Sequence, residues 1–361
     1  MYIKKLELKN FRNYDEINLE FNKNINFIIG DNAQGKTNLL EAIFMSSISK
    51  SFRTSKDFEM IRFGKDYCII KIYAEKELFP VNIEIKIDKN KGKFIKIDGI
   101  SASKASELLE KVYIVIFSPE DLKIVKDEPE KRRKFIDREL SMLKPSYYNS
   151  LSNYKKVLAQ RNIYLKERDI DFTILDIWDI QLAEYGSKII EMRQNFIKKI
   201  DVISSDIHKK ITNGKELLKI EYDPNVFNLN DNKKALYEEL KKSVNNDLRL
   251  RTTTKGPHRD DIQFFIDDVN VRNFGSQGQQ RTAALSLKLA ELNLIKEESG
   301  ESAILLLDDV MSELDSTRQK FLVKTLSDTQ LFITTTEITP CLEEELKNGN
   351  IYNIEKGKIK L

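Results

Sequence analysis

Three groups of residues in this chain have the types and spacing to act on a phosphate. Gly30-Asp31-Asn32-Ala33-Gln34-Gly35-Lys36-Thr37 has the two glycines, the lysine and the hydroxyl of a phosphate loop. In such a loop Gly30 and Gly35 permit backbone angles that aim N–H groups at a β-phosphate. The helix that follows adds its positive end. Lys36 would neutralise β- and γ-oxygens, and the Thr37 hydroxyl would ligate Mg2+. The apolar run Ala303 to Leu307 ends in Asp308-Asp309, then Ser312-Glu313-Leu314-Asp315. Such a run is buried, so acids at its end need a partner. Mg2+ suits Asp308, and Asp309 would orient or deprotonate an attacking water. Without the phosphate loop, the two acids would read equally well as a solubilising strand end. The third group is Ser276-Gln277-Gly278-Gln279-Gln280, ahead of an apolar helix from Ala283 to Leu294. Serine as N-cap with a nearby glycine makes an anion-binding terminus, although the spacing alone favours an ordinary capped helix.

The elements that must position these groups are visible in the hydrophobic pattern. Ile25 to Ile29 is a short apolar run, and Leu39, Leu40, Ile43 and Phe44 recur at helical spacing. The phosphate loop therefore lies between a buried strand and a helix. Ile17, Leu19 and Phe21 alternate with polar residues, as do Val81, Ile83, Ile85 and Ile87. Asn90-Lys91-Gly92 offers a turn before Phe94 to Ile97. These read as an antiparallel meander beside the main sheet. From Pro119 to Lys242 glycine is scarce and apolar residues recur at steps of three and four, for example Ile189, Ile190 and Ile197. This is a mostly helical insert. Pro145, Asp171-Phe172-Thr173 and Gly214 interrupt it, which argues against a long coiled coil. The expected divisions are 1–115, 116–250 and 251–361, with the first and last forming one α/β body around the insert.

Composition narrows the function classes. The chain has 361 residues, 40% hydrophobic and 32% charged, enough for a core and a strongly solvated surface. A net charge of +3 is too small to argue for nucleic acid by itself. Two cysteines, Cys68 and Cys341, exclude a disulfide framework or thiolate cluster, and two histidines, His208 and His258, disfavour a histidine-built metal site. No signal peptide is visible and no apolar run approaches the ~20 residues of a membrane span, so a cytoplasmic location and no membrane partner are expected.

Several further blocks carry a resemblance. Leu8-Lys9-Asn10-Phe11-Arg12-Asn13-Tyr14, Gly30 to Ile43, Pro119-Glu120-Asp121-Leu122 and Arg132 to Asp137 stand with Gln160-Arg161-Asn162, Gly256-Pro257-His258-Arg259-Asp260, Ser276 to Arg281 and Leu307 to Asp315. The chain resembles the RecF family, ABC-type ATPases related to the heads of structural-maintenance-of-chromosomes proteins. The resemblance implies an ABC-type P-loop ATPase head, a mixed sheet with an antiparallel subdomain, and an inserted helical lobe. It implies ATP and Mg2+, with Gly30 to Asn38 holding the nucleotide and Ser276, Gly278 and Gln279 as a signature motif capping nucleotide held by a second copy. Asp308 and Thr37 would take the metal, and Lys36, Asp308 and Asp309 would serve hydrolysis. A switch residue is implied after Leu331-Phe332-Ile333, where Thr336 is the first choice within Thr334-Thr335-Thr336. Asp127 and Glu128 depart from the family's glycine and small residue before Pro129, which puts the turn there in question.

The implied function is recombinational repair: an ATP-dependent homodimer on double-stranded DNA beside single-stranded gaps, working with RecR and RecO to place RecA. Hydrolysis would be slow and DNA-stimulated. Rivals are a transporter energy-coupling subunit, a chromosome-condensing head and a passive DNA scaffold. Candidate DNA contacts are Lys131 to Lys134 and the pairs Lys155-Lys156, Lys198-Lys199, Lys209-Lys210 and Lys241-Lys242, each of which also reads as a solvated helix face. Arg251, Lys255, His258 and Arg259 are a further cluster with either reading.

Overall fold

Alternation of apolar and polar residues builds the first sheet. The computed structural model describes residues 1–228, 230–326, 328–337 and 349–360, with backbone alone for 323–325. Cys341 lies outside them. Two units form, Met1–Leu122 with Glu291–Leu361, and Lys123–Ala290. In the first, β1 (Tyr2–Phe11) and β2 (Tyr14–Glu20) pair antiparallel, and β3 (Ile25–Ile29) leads into α1 (Lys36–Ile48). The chain continues through β4 (Tyr67–Glu75), β5 (Val81–Asp88), β6 (Gly92–Ile97), β7 (Ile100–Ser101) and β8 (Ile114–Phe117). One sheet runs β2-β1-β4-β5-β6-β7. In β4, Cys68, Ile70, Ile72 and Ala74 are buried while the residues between them are half-buried, the period of a one-sided strand. The turn at Asn90-Lys91-Gly92 is held by Asp88 Oδ1, which accepts from the Asn90 and Lys91 amides at 3.0 Å each.

Helix α1 is buried without a break from Leu39 to Ser47. Leu39, Leu40, Ala42, Ile43, Phe44 and Met45 are all buried, and the helix packs on strands of both large sheets of its unit. Each large side chain contributes about 1.5–3 kcal/mol by leaving water. Its burial on every side fixes the phosphate loop at its N-terminus.

The second unit contains α2 (Pro129–Leu143), α3 (Pro145–Tyr164), α4 (Phe172–Ile211), β9 (Leu218–Asp223), α5 (Asn232–Leu250), β10 (Asp261–Ile266), β11 (Val269–Asn270), α6 (Val271–Phe274) and the start of α7 (Gln277–Ser299). Pro145 starts a helix, as proline does at a first helical position. Asp171 caps α4 by accepting from the Thr173 amide at 2.8 Å. Pro129 likewise opens α2 directly after Glu128, so Asp127-Glu128 supplies a usable helix start.

Helix α4 corrects the expectation of broken heptads. Its buried residues include Leu175, Asp179, Leu182, Gly186, Ile189, Arg193, Phe196 and Ile200, alternating steps of four and three. The heptad is sustained over one 40-residue helix. It escapes an apolar count because alternate seam positions hold Asp179, Gly186 and Arg193. Arg161 donates to Asp179 at 2.7 Å and Asp247 at 2.8 Å, with all three fully buried. Burial pushes the Asp179 carboxyl up and Arg161 pulls it back. Arg193 donates to Asp137 at 2.7 Å and Asp260 at 2.9 Å. At Gly186 an added Cβ would fall 2.5 Å from a Leu236 methyl, so α5 packs directly on the α4 backbone.

The expected breaks at 115/116 and 250/251 differ from the observed ones at 122/123 and 290/291. β10 pairs with β9 from Asp261↔Asp223 to Ile266↔Leu218, so the segment after residue 250 stays with the insert. Among the proposed DNA contacts, Arg132 and His258 are turned inward, while Lys131 and Lys134 stay at the surface in pairs. Arg132 is buried and bidentate to Asp261 at 2.7 and 2.9 Å. Lys131 pairs with Asp127 and Lys134 with Glu130, both at 2.7 Å. His258 sits between the Tyr154 hydroxyl at 2.7 Å and the Thr253 carbonyl at 3.0 Å, and burial lowers its pKa to about 4, so it is neutral near pH 7.

The chain returns to the first unit with β12 (Ile304–Asp308), α8 (Ser316–Thr325), β13 (Leu331–Thr335), β14 (Gly349–Glu355) and β15 (Lys358–Lys360). The second sheet runs β15-β14-β3-β13-β12-β8, parallel except for β15. β12 and β13 are buried along their whole length, as expected of interior parallel strands. The register pairs Asp308 with Thr334 and Ile29 with Thr335, so three strand ends open at one edge.

Removing Arg161 leaves two buried carboxylates without their cation. Arg161→Ala should lower the unfolding free energy by about 3–5 kcal/mol in a denaturant titration. Lys134→Ala, which breaks an exposed pair, should be indistinguishable from the parent. Equal effects would show that the buried seam is not what holds the helices.

Candidate functional site

The phosphate loop is shaped by four contacts from outside it. The Gln34 carbonyl accepts from Asn13 Nδ2 at 2.8 Å and the Gly357 amide at 3.2 Å. The Gly35 carbonyl accepts from the Tyr14 hydroxyl at 3.0 Å, and Gln34 Oε1 from the Lys356 amide at 2.6 Å. These bonds turn loop carbonyls outward and so set the peptide planes. The two glycines have different reasons. Gly35 has φ +119°, which favours glycine. Gly30 does not; an added Cβ there would lie 2.4 Å from the Ile354 carbonyl of β14. The expectation that both supply unusual angles holds for Gly35 alone, and Ala33 takes a positive φ of 65°.

Lys36 Nζ is nearly buried. It donates to the Gly30 carbonyl at 2.7 Å and lies 3.7 Å from Asp309 Oδ1. Thr37 Oγ1 donates to Asp308 Oδ1 at 2.9 Å. Asp308 is 8% exposed, and burial raises its pKa against the pull of the Thr37 and Thr334 hydroxyls. Asp309 is more open and has φ 52°, a left-handed conformation that aspartate tolerates better than most residues. Thr334 holds both acids. Its hydroxyl accepts the Asp309 amide at 2.8 Å and lies 3.1 Å from Asp308 Oδ1.

Thr336 is exposed beyond the end of β13 and takes no part in this group. The threonine that touches the carboxylates is two residues earlier. Strand period does not separate residues 334 and 336, which share parity; the pairing register does, since Thr334 lies directly across from Asp308.

Sequence reasoning also missed the charges around α1. Arg12 is bidentate to the fully buried Glu41 at 2.8 and 2.7 Å. Arg53 lies 3.5 Å from Glu41, donates to Asn38 Oδ1 at 2.6 Å, and its charge weakly opposes the burial that raises the Asp308 pKa. The available signal was Glu41 itself, an acid among the apolar residues Leu39, Leu40, Ala42 and Ile43, which requires cations nearby.

The donors fit a magnesium ion carried with a nucleotide. Thr37 and Asp308 supply two hard oxygens 2.9 Å apart, and Mg2+ takes one or two protein ligands beside phosphate oxygens and water. Among the described residues no cluster of three or more His, Cys, Asp or Glu side chains could hold an ion unaided.

Ser276, Gly278 and Gln279 belong to the second unit. Ser276 Oγ accepts the Gln279 amide at 3.2 Å, and Gln279 Oε1 accepts the Ser276 amide at 2.9 Å, a reciprocal cap. Thr282 Oγ1 donates to the Gly278 carbonyl at 2.7 Å.

The family described as RecF/RecN/SMC N terminal domain matches residues 2–360. DNA replication and repair protein RecF of Lachnospira eligens is 47% identical over 99% of both chains. The protein of the same description from Clostridium tetani is also 47% identical over 99% of both. The chain belongs to the RecF family. A solved structure of the recombination mediator protein RecF-ATPrS in the RecFOR pathway superposes with TM-score 0.92 at 39% identity, covering 99% of this chain and 97% of the other. An Smc head domain from Pyrococcus furiosus matches at 18% identity and TM-score 0.56, a likeness of fold. This RecF-family chain therefore has the ABC-type ATPase fold implied by its motifs. Among the described residues no helix is long and apolar enough to cross a membrane.

Thr334→Val keeps the side-chain shape and removes the hydroxyl. It leaves the buried end of β12 without its partner, at a cost of about 1–3 kcal/mol. Denaturant unfolding should show that loss, and Thr334→Ser should recover most of it. A parent-like Thr334→Val would mean that the hydroxyl does not hold the two acids.

Proposed function

We infer that this protein binds ATP with Mg2+ at the loop Gly30 to Asn38 and hydrolyses it slowly, using the cycle to close and reopen a homodimer on DNA. The observation that carries the reading is the joining of Thr37, Asp308 and Thr334 at the end of three parallel strands, beside Lys36. Lys36 is poised to exchange Gly30 and Asp309 for phosphate oxygens. That exchange frees the open Asp309 carboxylate to orient a water in line with the γ-phosphorus and to accept its proton. A bound metal would supply charge neutralisation at the phosphate oxygens. Thr37 and Asp308 are the residues that would hold it. Glu41 and Arg12 keep α1 rigid under the loop, and Arg53 adds a cation near Asp308. Thr334, in place of Thr336, is the threonine with contacts suited to sensing the state of the two acids.

The RecF-family membership and the ATP-bound relatives favour this reading over a transporter subunit or a passive scaffold. The Ser276 cap supports a signature role toward nucleotide on a second copy, because a capped helix terminus favours an anion. Work in recombinational repair with RecO, RecR and RecA, on double-stranded DNA beside single-stranded gaps, is the pathway we propose. Lys156, Lys198, Lys209 and Lys210 are exposed and are the cations we assign to DNA phosphates.

Ser276→Arg tests the dimer. It should leave ATP binding to one subunit within about twofold of the parent, yet stay monomeric by light scattering with ATP and duplex DNA. Its hydrolysis should fall at least ~10-fold, the scale of one lost transition-state contact. A variant that dimerises and turns over like the parent would remove the signature motif from the mechanism.

A further inference from the structure

The connection between α4 and β9 carries one acid with two specific partners. Glu216 Oε1 accepts from Gln279 Nε2 at 3.0 Å, and Glu216 Oε2 lies 3.2 Å from His208 Nε2. His208 is fully buried on the last turn of α4. Its other ring nitrogen lies 3.1 Å from Ser286 Oγ, which donates to the Thr282 carbonyl at 2.8 Å. Gln279 and Ser286 are seven residues apart, so they share one face of α7. The end of α4 therefore meets α7 at two heights, both within the second unit.

The connection itself is fixed. Thr212 donates through both its amide and its hydroxyl to the His208 carbonyl, at 2.9 Å each. Asn213 and Gly214 turn with positive φ, and the Gly214 amide donates to the Lys209 carbonyl at 2.8 Å. The Leu217 amide donates to Asp267 Oδ1 at 3.0 Å. Glu216 is thus held on a backbone anchored on either side.

A packing contact alone would not need this arrangement of donors and acceptors. The Gln279 carboxamide has one donor end and one acceptor end. Its Oε1 must face the Ser276 amide for the reciprocal cap to exist. A flipped amide would point Nε2 at that N–H, donor against donor. An ionised glutamate only accepts, so Glu216 selects the orientation in which Nε2 faces it and Oε1 faces Ser276.

We propose that Glu216 is the positioning residue of the Ser276–Gln280 loop, holding the Gln279 amide in its capping orientation and tying the loop to the end of α4 through His208. The proposal rests on the signature role assigned above. It makes the 40-residue helix α4 and the signature loop one mechanical piece. A displacement of the last turn of α4 then changes the order of the loop presented to a second copy.

Glu216→Ala and Glu216→Gln separate the possibilities, using the full-length protein. Amide hydrogen exchange at Ser276 in the nucleotide-free state reads the cap directly. Glu216→Ala should speed it about tenfold, the scale of one lost hydrogen bond. Glu216→Gln keeps a carbonyl acceptor for Gln279 and should restore slow exchange. With ATP and duplex DNA, Glu216→Ala should bind ATP like the parent yet lose most of its dimer, and Glu216→Gln should recover it. Unchanged exchange at Ser276 in Glu216→Ala would overturn the proposal, as would fast exchange with parent-like dimerisation. A parent that fails to dimerise would refute the dimer reading, while the exchange measurement still decides the role of Glu216.

Discussion

The nucleotide site depends on how one buried carboxylate is satisfied. Asp308 ends a strand whose every residue is buried, where an unpaired acid would be costly. Its oxygen Oδ1 receives the Thr37 hydroxyl from the start of α1 and faces the Thr334 hydroxyl at the end of β13. Three chain segments far apart in sequence therefore meet on one atom. The same Thr334 oxygen accepts the Asp309 amide, which keeps the next carboxylate turned into the open. The phosphate loop, Asp308 and Asp309 take their relative positions from this single point.

The parts of this site that were legible in the sequence are those where one residue type is obligatory. The lysine and threonine after Gly35 and the acids after an apolar run leave few alternatives, and they lie where expected. Thr334 was less legible because three threonines stand in a row and only strand pairing says which faces Asp308. Glu41 and Arg53 were missed because attention to apolar spacing passed over the acid buried among those residues. Gly30 was placed correctly for an incorrect reason, since its constraint comes from β14, more than 300 residues away.

The helical unit shows the same limit more sharply. Asp179, Gly186 and Arg193 occupy seam positions of α4 and hide a regular heptad from any apolar count. The partners of the two charged ones, Arg161, Asp137 and Asp260, come from three other segments and cannot be paired by inspection of a single helix. Arg132 reads as part of a basic run and is buried, because its aspartate arrives with β10. Buried arginines thus tie the helices of this unit to one another.

Solution mass in the presence of ATP tests the central claim most directly, with hydrolysis blocked by Asp309→Asn. That substitution leaves Lys36, Thr37, Asp308 and Thr334 in place and removes the carboxylate we propose as proton acceptor. With ATP, Mg2+ and duplex DNA, light scattering of the variant should give twice the mass of one chain, persisting while ATP lasts. Without ATP it should give the mass of one chain. A variant that binds ATP and remains a monomer on DNA would contradict the account.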